Sequence, residues 1–219
     1  MSKADQFPRL KPILKYVPKR LKKVAAENPK AGWNVEYRWT HTLRVAHYGA
    51  LIAQKEGCDV ELALAGCLLH DVARFDPGKP QDHGRLGAEI IKPKLKEWGF
   101  KKKERKEICL AVASHVDVKN PETLLAKVVT DADNIDRFSA LRILHFCDPD
   151  IYNYEKLIRK TAGRLKNLEK YEGKQIMETK AGQKLFDKQL KRMQNFYRDL
   201  IAEKDLTVFP PPSLNGYKD

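Results

Sequence analysis

Six residues of types that bind metal ions follow one another along this 219-residue chain, each on or beside an apolar segment. An unpaired polar side chain is unfavourable in apolar surroundings, so we expect several of these residues to face one another around a cation. Histidine nitrogens together with carboxylates, without a thiolate, suit Mn²⁺, Fe²⁺, Co²⁺, Ni²⁺ or Zn²⁺. In chain order the candidate ligands are His41, His70, Asp71, His83, His115 and Asp133.

The acidic segment that supplies the last candidate leaves alternatives open. Asp131 and Asp133 are two residues apart and point about 200° away from each other on a helix, so only one of them can bind the metal directly. Asp136 is interpreted equally well as a partner of a ligand or as a solvated carboxylate. His47 and His145 fit no part of the pattern, and we interpret them as structural or surface residues.

The elements that must position these residues are all predicted to be helices. The sequence has no long alternating β-branched runs bounded by turn pairs, so nothing in it predicts a sheet. We therefore expect an all-α bundle. The predicted helices lie at about 14–26, 35–56, 60–73, 82–98, 103–116, 121–136 and 178–203, with shorter helices between about 138 and 171.

Local signals place the ends of the second and third of these helices. Gly57 suits the residue that follows a helix, and Asp59 suits the residue that caps the next one. The helix after Asp59 is apolar on nearly every side, which is typical of the centre of a bundle. Residues 74–81 are predicted to be a loop from their turn-forming residue types.

Charge indicates the class of partner. The chain has 42 basic and 29 acidic residues, and the net charge of +13 favours polyanionic partners such as nucleotides or nucleic acid. A basic run at residues 92–106 is one candidate nucleic-acid surface. Only Trp98 and Phe100 interleave with it as aromatic residues, so a solvated helix face is the favoured interpretation.

Composition also bears on the compartment. No stretch approaches the roughly 18 apolar residues of a membrane span, and the N-terminus lacks the features of a signal peptide. The four cysteines are too far apart for a C-x-x-C metal site, and we expect all four to be buried free thiols. These features predict a cytoplasmic protein without membrane contact.

The order His, His-Asp, His, His, Asp resembles that of the HD-domain superfamily of metal-dependent phosphohydrolases, over about residues 38–138. The His-Asp pair ends the segment Ala-Gly-Cys-Leu-Leu-His-Asp-Val-Ala-Arg. An upstream His-Thr-Leu-Arg-Val-Ala and a downstream Ala-Asp-Asn-Ile-Asp flank the pair in the expected order. A lone His-Asp pair would be weak evidence, but the three segments together are a specific signal.

The resemblance implies a set of metal ligands. His83 and His115 match two additional histidines of members with a dinuclear centre, although both could instead be partners of ligands around a single ion. The resemblance favours Asp133 over Asp131 and makes Asp71 the bridging carboxylate. The residues that match the four core ligands are His41, His70, Asp71 and Asp133.

The resemblance also implies cofactors and substrate contacts. We expect two divalent transition metals, Fe or Mn first, with Co, Ni, Zn and Mg as alternatives. The metals would activate a water molecule for attack on a phosphate ester or anhydride. Arg74 occupies a place where many members carry Lys or Arg, and we expect it to contact the substrate phosphate. Lys79 and Arg137 are further candidates for substrate binding.

The predicted substrate is a nucleotide or another small phosphate compound. The ligand layout is similar to that of bacterial HD-type diadenosine tetraphosphate hydrolases. No Gly-Tyr-Pro signature follows the core, which argues against a cyclic-dinucleotide phosphodiesterase. The alternatives are an HD-type nuclease or nucleic-acid-binding protein and, third, a diiron oxygenase on the same scaffold.

The chain is predicted to have four segments. A basic helical segment occupies residues 1–30, and the HD metal-binding core occupies residues 31–147. A helical extension at 148–206 and a flexible tail at 207–219 follow. The last long helix has two candidate neighbours, its own bundle or a second subunit of a homodimer.

Overall fold

The computed structural model describes residues 6–29, 34–78, 82–116, 121–147 and 153–203. Regular secondary structure in these ranges is entirely helical, which confirms the prediction of an all-α fold. The helices are α1 Leu10–Glu27, α2 Val35–Glu56, α3 Val60–Leu69, α4 His83–Glu97, α5 Lys102–Ser114, α6 Leu124–Asp136, α7 Ala140–Cys147, α8 Tyr154–Glu169 and α9 Lys180–Ala202.

The chain divides into two compact units. The first extends to Asp136 and also includes Met177–Gln183, so it contains α1 to α6 and the first turn of α9. The second comprises Arg137–Ile176 and the chain from Lys184 onward. None of the described helices is both long and apolar enough to span a membrane.

Helix α3 lies at the centre of the first unit, where it packs against α1, α2, α5 and α6. Seven of its ten residues are buried, which matches its apolar character on nearly every side. The ends of α2 and α3 follow the predicted signals. Gly57 ends α2 with a φ of 71°, and the carboxylate of Asp59 accepts a hydrogen bond from the Leu62 amide at 3.0 Å.

Helix α3 ends at Leu69, four residues earlier than the predicted end at Ala73. The chain continues through residues 70–75 as successive turns closed by i→i+3 hydrogen bonds of 2.9–3.1 Å. The prediction was wrong because the apolar pattern continues through Val72 and Phe75, and both of these residues are buried in the turns. The spacing of apolar residues indicates which side chains are buried. It does not distinguish a helix from turns that bury the same side chains.

Helix α1 is longer than predicted, because it begins at Leu10. Its N-terminus is fixed by Arg9, whose guanidinium binds Glu61 of α3 at 2.6 Å and Glu104 of α5 at 2.8 Å. The same guanidinium lies 4.4 Å from the centre of the Phe100 ring. One half-buried arginine therefore ties three helices together at one end of the bundle.

The prediction of four buried thiols is wrong for two of them. Cys67 on α3 is buried, whereas Cys58 and Cys109 are half-buried. The side chain of Cys147 lies outside the described residues. Cys58 lies between α2 and α3 and Cys109 in the middle of α5, and apolar neighbours in sequence do not guarantee complete burial at either place.

Gly66 allows α3 and α6 to approach closely, and a Cβ atom there would lie 2.8 Å from Cγ2 of the buried Val129. We expect Gly66→Ala to lower the free energy of unfolding by about 1–3 kcal/mol, because the helices must separate or Val129 must shift. Val129→Ala removes the methyl group that the new Cβ atom would contact. The double variant should therefore lose less stability than the sum of the losses in the two single variants. Thermal and chemical denaturation measure these differences.

Gly163→Ala is the matched control, because a Cβ atom at this position of α8 would have no neighbour within 4 Å. Alanine is the better helix former, so this variant should be unchanged or stabilised by up to about 1 kcal/mol. A neutral Gly66→Ala would show that the α3–α6 approach tolerates a methyl group and would contradict the packing argument.

Candidate metal centre

Three helices of the first unit bring four predicted ligands together. His41 lies in the middle of α2, His70 and Asp71 directly follow α3, and Asp133 lies on α6. The early end of α3 matters here, because the turns after Leu69 begin with the His-Asp pair. All four side chains are buried.

Four atoms of these residues lie within reach of one another. His41 Nε2 is 3.2 Å from His70 Nε2, 3.3 Å from Asp133 Oδ1 and 3.5 Å from Asp71 Oδ2. His70 Nε2 is 3.3 Å from the same Asp71 oxygen and 3.8 Å from Asp133 Oδ1. Metal–ligand bonds of about 2.0–2.2 Å place neighbouring ligand atoms roughly 3.0–3.5 Å apart, so these separations suit one cation.

The other two predicted ligands lie on the opposite side of Asp71. His83 opens α4, and His115 directly follows α5. Asp71 Oδ1 is 3.0 Å from His83 Nε2 and 3.9 Å from His115 Nε2, and the two nitrogens are 3.2 Å apart. The two carboxylate oxygens of Asp71 therefore face different histidine pairs, which is the arrangement that a bridging carboxylate requires.

The second nitrogen of three histidines is held by an acceptor. His41 Nδ1 lies 2.8 Å from a carboxylate oxygen of Asp136, and His70 Nδ1 lies 2.7 Å from the Cys67 carbonyl. His115 Nδ1 lies 2.7 Å from the Val112 carbonyl. Carboxylates and carbonyls only accept hydrogen bonds, so each Nδ1 carries a proton and each Nε2 can offer a lone pair to a metal.

His83 has a different partner from the other three histidines. Its Nδ1 lies 3.3 Å from a guanidinium nitrogen of Arg74, and a guanidinium can only donate a hydrogen bond. In this arrangement Nδ1 is the acceptor, and Nε2 carries the proton that it donates to Asp71 Oδ1. His83 can bind a metal through Nε2 only if its proton moves to Nδ1. Nδ1 would then have to leave the Arg74 guanidinium and donate to a hydrogen-bond acceptor instead.

The electrostatics of the cluster favour a positive charge at its centre. Burial lowers the pKa of His41, but its hydrogen bonds to Asp133, Asp136 and Asp71 outweigh this effect and raise the pKa to about 11. Without a metal ion, His41 is therefore an imidazolium at neutral pH, and its proton lies where a cation would bind.

The neighbouring carboxylates respond in the opposite direction. Burial raises the pKa of Asp71, but the imidazoles of His70, His115 and His41 hold it well below its usual range. Burial also raises the pKa of Asp136, and bonds from His41 and Arg44 reverse this shift and lower it. The carboxylates are thus ionised and ready to bind a cation.

These residues fit a divalent transition metal. His70 Nε2 lies 3.2 Å from His41 Nε2, so either a proton or a metal ion must lie between the two nitrogens. Two groups of ligand atoms that lie mutually within 4.8 Å satisfy the spatial requirement for a metal site. The first group is His41, His70 and Asp133, and the second is His70, Asp71 and His115.

Asp131 and Asp133 lie on different sides of α6, as helical spacing predicts. Asp133 faces the histidines, whereas the Asp131 carboxylate accepts hydrogen bonds from the Glu178 amide at 2.8 Å and the Thr179 amide at 2.9 Å. It also accepts one from the Thr179 hydroxyl at 2.7 Å. Asp131 therefore binds the chain that leads into α9, within the first unit.

The predicted substrate-binding residues have different outcomes. Arg74 lies in the turns after α3 and reaches His83 at the edge of the cluster. Lys79 lies outside the described residues. Arg137 directly follows α6 and belongs to the second unit, so its role stays a prediction.

Three residues around the ligands were not predicted for this role, and two of them, Arg38 and Asp136, contact a ligand directly. Arg38 of α2 donates a hydrogen bond to Asp71 Oδ2, and Arg44 of the same helix binds the Asp136 carboxylate at 2.7 Å. Asp136 was left undecided, and the structure buries it against His41. Each lies three residues from a predicted ligand, His41 or Asp133, and this one-turn spacing is the signal that could have identified it.

A family model described as the HD domain matches residues 38–137. Its span contains all six predicted ligands, in the order and positions that the geometry brings together. Residues 38–137 of the chain form an HD domain. The matched HD domain includes α2 to α6 and excludes α1 and everything after Arg137.

Curated relatives match a stretch of similar length. Ribonuclease Y of Alkaliphilus metalliredigens is 33% identical over 96 residues, which are 43% of this chain and 18% of that protein. Ribonuclease Y of Mycoplasma mycoides is 36% identical over 96 residues, which are 43% and 17% of the two chains. The chain thus spans less than a fifth of the length of these relatives.

Solved structures share the fold over most of their length. A predicted HD superfamily hydrolase from an uncultured Thermotogales bacterium aligns with a TM-score of 0.65 and 23% identity, covering 91% of this chain and 95% of that one. Bacillus subtilis YpgQ, solved in complex with ADP, aligns with a TM-score of 0.57 and 20% identity over 94% and 97%. These likenesses establish the fold.

Metal binding should release a proton from this site. His41 is protonated at neutral pH because its pKa is raised, and a ligand nitrogen must be neutral, so the first metal ion displaces about one proton. The apparent affinity should therefore rise about tenfold per pH unit between pH 6 and 9. Calorimetric titration of Mn²⁺ at one pH, in buffers of different ionisation enthalpy, counts the protons.

His41→Ala and His47→Ala form a matched pair for this measurement. Both residues lie on α2, but His47 is exposed and outside the cluster. We expect His41→Ala to bind the metal at least about 10–100-fold more weakly than the parent protein. His47→Ala should bind the metal, and release protons on binding, as the parent protein does. If the parent protein bound metal without releasing a proton, His41 would not be a ligand that loses its proton to the metal.

Proposed function

We propose that this HD domain is a metal-dependent hydrolase of phosphate esters or anhydrides, and that its substrate is a nucleotide or another small phosphate compound. The observation that carries the proposal is that His41 Nε2 and His70 Nε2 each lie within 3.2–3.8 Å of the other and of Asp71 and Asp133 oxygens, beside two arginines. A bound divalent ion polarises a phosphoryl oxygen and lowers the pKa of water, which is the chemistry that hydrolysis needs.

The protein residues provide the ligands and their orientation. His41, His70 and Asp133 would hold one cation, and His70, Asp71 and His115 form a second group of ligand atoms that could hold another. Asp136 and two backbone carbonyls fix the histidine tautomers, so the ligand lone pairs need no rearrangement. Such preorganisation reduces the cost of ordering the site when metal and substrate bind.

The arginines account for the charge of the substrate. Phosphoryl transfer depends mainly on positioning and on neutralising charge that spreads over the phosphoryl oxygens. Arg38 lies on the Oδ2 side of Asp71, and Arg74 lies on the His83 side. Arg74 Nε is buried and forms no hydrogen bond with described residues, so part of its donor capacity remains for a phosphate oxygen.

A nucleotide substrate is supported by one comparison. The structural neighbour YpgQ was solved with ADP, and it shares the fold of this chain over nearly its whole length. We therefore place nucleoside di- and triphosphates and dinucleoside polyphosphates first among the compounds to be tested.

A nuclease is the second candidate, and a different observation favours it. Several curated relatives are named Ribonuclease Y, and their identity of 33–36% exceeds that of the structural neighbours. A phosphodiester is cleaved by the same arrangement of cations and water. The two candidates differ in the size of the substrate that must reach the ligands.

The experiment that tests the proposal combines metal analysis with a substrate panel. The protein, loaded with Mn²⁺ or Fe²⁺, is incubated with ADP, diadenosine tetraphosphate, bis(p-nitrophenyl) phosphate and a 20-nucleotide RNA. We expect turnover of a nucleotide, absent in Asp71→Asn and retained in His47→Ala. Cleavage of RNA alone would favour the nuclease, and no hydrolysis of any compound would refute both functions.

Arg74→Ala should weaken phosphate recognition without removing the metal. We expect kcat/KM to fall by roughly 10²–10³, because a charged donor to the phosphoryl group is lost. Arg85→Ala is the control, since Arg85 lies on α4 with a side chain that is 56% exposed. If the metal content falls together with activity in Arg74→Ala, Arg74 acts through the ligands and the substrate contact is wrong.

A further inference from the structure

We propose that a continuous basic surface of the first unit binds nucleic acid through its phosphate backbone. The surface combines lysines of α1 with lysines at the turn between α4 and α5, and we call it the lysine face. The proposal goes beyond the proposed hydrolysis, because it depends on neither the metal nor turnover. The members, all exposed, are Lys11, Lys15, Lys19, Lys22, Lys23, Lys96, Lys101, Lys102, Lys103 and Lys106.

The α1 part of the lysine face covers one side of the helix. At 100° per residue, its five lysines fall within an arc of about 120° and extend about 18 Å along the axis. The buried residues of α1 occupy an arc centred on the opposite side of the helix, and they are Leu10, Ile13, Val17, Leu21 and Val24. The apolar side of α1 is therefore used in the core, and its basic side faces solvent.

Two contacts join α1 to the turn between α4 and α5. Tyr16 packs edge-on against Trp98 with ring centres 5.4 Å apart. Arg9 binds Glu104 at 2.8 Å and lies over Phe100 at 4.4 Å. These contacts place the lysines at 101–103 beside those of α1, so the two groups form one surface.

The arrangement of charge on the lysine face is unfavourable in the isolated protein. Lys101, Lys102 and Lys103 lie at the N-terminus of α5, where the helix dipole already contributes positive potential. Lysines four residues apart on α1 repel one another, by about 0.2–0.5 kcal/mol per pair. A bound polyanion would relieve both effects.

Acidic residues do little to compensate this charge. Glu104 is already engaged by Arg9 and by the Lys101 backbone amide at 2.6 Å. Lys15, Lys19 and Lys22 form no ion pair with any residue in the described ranges, whereas Lys23 has Glu27 at 3.7 Å. A solvated helix face alone needs no such excess of one charge, whereas phosphate contacts require it.

The part of the lysine face at the turn between α4 and α5 is separate from the metal centre. His83 begins α4 and His115 follows α5, whereas the turn between these helices lies about 20 Å away at their other ends. Nucleic acid bound at this turn leaves the metal centre free to act on a separate substrate.

The chemistry favours a nucleic-acid backbone over a membrane surface. Basic helices that lie on membranes also insert an apolar side, and the apolar side of α1 is buried in the core. Trp98 is packed against Tyr16, so the face has no open aromatic platform for stacking bases. Binding should accordingly be independent of sequence and strongly dependent on salt.

Fluorescence anisotropy with a labelled 20-nucleotide RNA tests the proposal, on full-length protein in EDTA at 50–300 mM KCl. With about six phosphate contacts, log K should fall with log[KCl] at a slope of about −4. Two triple variants test the two parts of the face: Lys15→Ala/Lys19→Ala/Lys22→Ala and Lys101→Ala/Lys102→Ala/Lys103→Ala. Each should bind RNA roughly 10-fold more weakly, and its slope should be less steep, at about −2. Circular dichroism confirms that each variant is folded.

The matched control removes the same charge from the second unit. Lys184→Ala/Lys188→Ala/Lys191→Ala replaces three exposed lysines of α9, and we expect it to change RNA affinity less than threefold. Equal weakening by all three triple variants would mean that net charge alone attracts RNA, which would overturn the proposal. Absence of RNA binding at 50 mM KCl, or binding only to anionic phosphatidylserine vesicles, would also overturn it.

Discussion

The first unit depends on balancing the negative charge of three buried carboxylates, those of Asp71, Asp133 and Asp136. A buried carboxylate is stable only when it is paired or bound to a cation. Arg38 and Arg44 supply two fixed positive charges, and His41 holds a third one as a proton. A divalent ion in place of that proton would meet the same carboxylates, so proton and metal compete for one position.

The surrounding helices are arranged to hold these charges in place. The turns after α3 carry His70, Asp71 and Arg74, and they are braced from α1 by Arg20. Its guanidinium binds the Val72 carbonyl at 3.2 Å and the Asp76 carboxylate at 2.5 Å. The family match begins at residue 38, so this brace comes from outside the HD domain. The ligand geometry therefore depends on an element that the domain alone does not contain.

The sequence predicted the all-α fold, the ends of α2 and the order of the ligands, because these depend on local spacing and residue type. It failed at the end of α3, since apolar residues buried in turns give the same pattern as a buried helix. Arg38 and Arg44 were missed because an arginine on a helix is usually solvated, and only the tertiary structure brings these two to carboxylates. The partner of His83 was equally inaccessible, because Arg74 lies nine residues earlier in the chain and only the tertiary structure brings the two side chains together.

Helix α6 illustrates how one element serves two purposes. Asp133 turns toward the histidines, and Asp131, two residues earlier, binds the backbone amides that begin the approach to α9. Gly182 must lack a side chain, because a Cβ atom there would lie 2.3 Å from an Asp131 oxygen. The segment Met177–Gln183 is thus fixed to the same helix as a predicted ligand. Asp131 and Asp133 are about half a turn apart on α6, so one short stretch of helix both holds this segment and presents a predicted ligand, and close packing of α6 against α2 and α5 fixes the position of both.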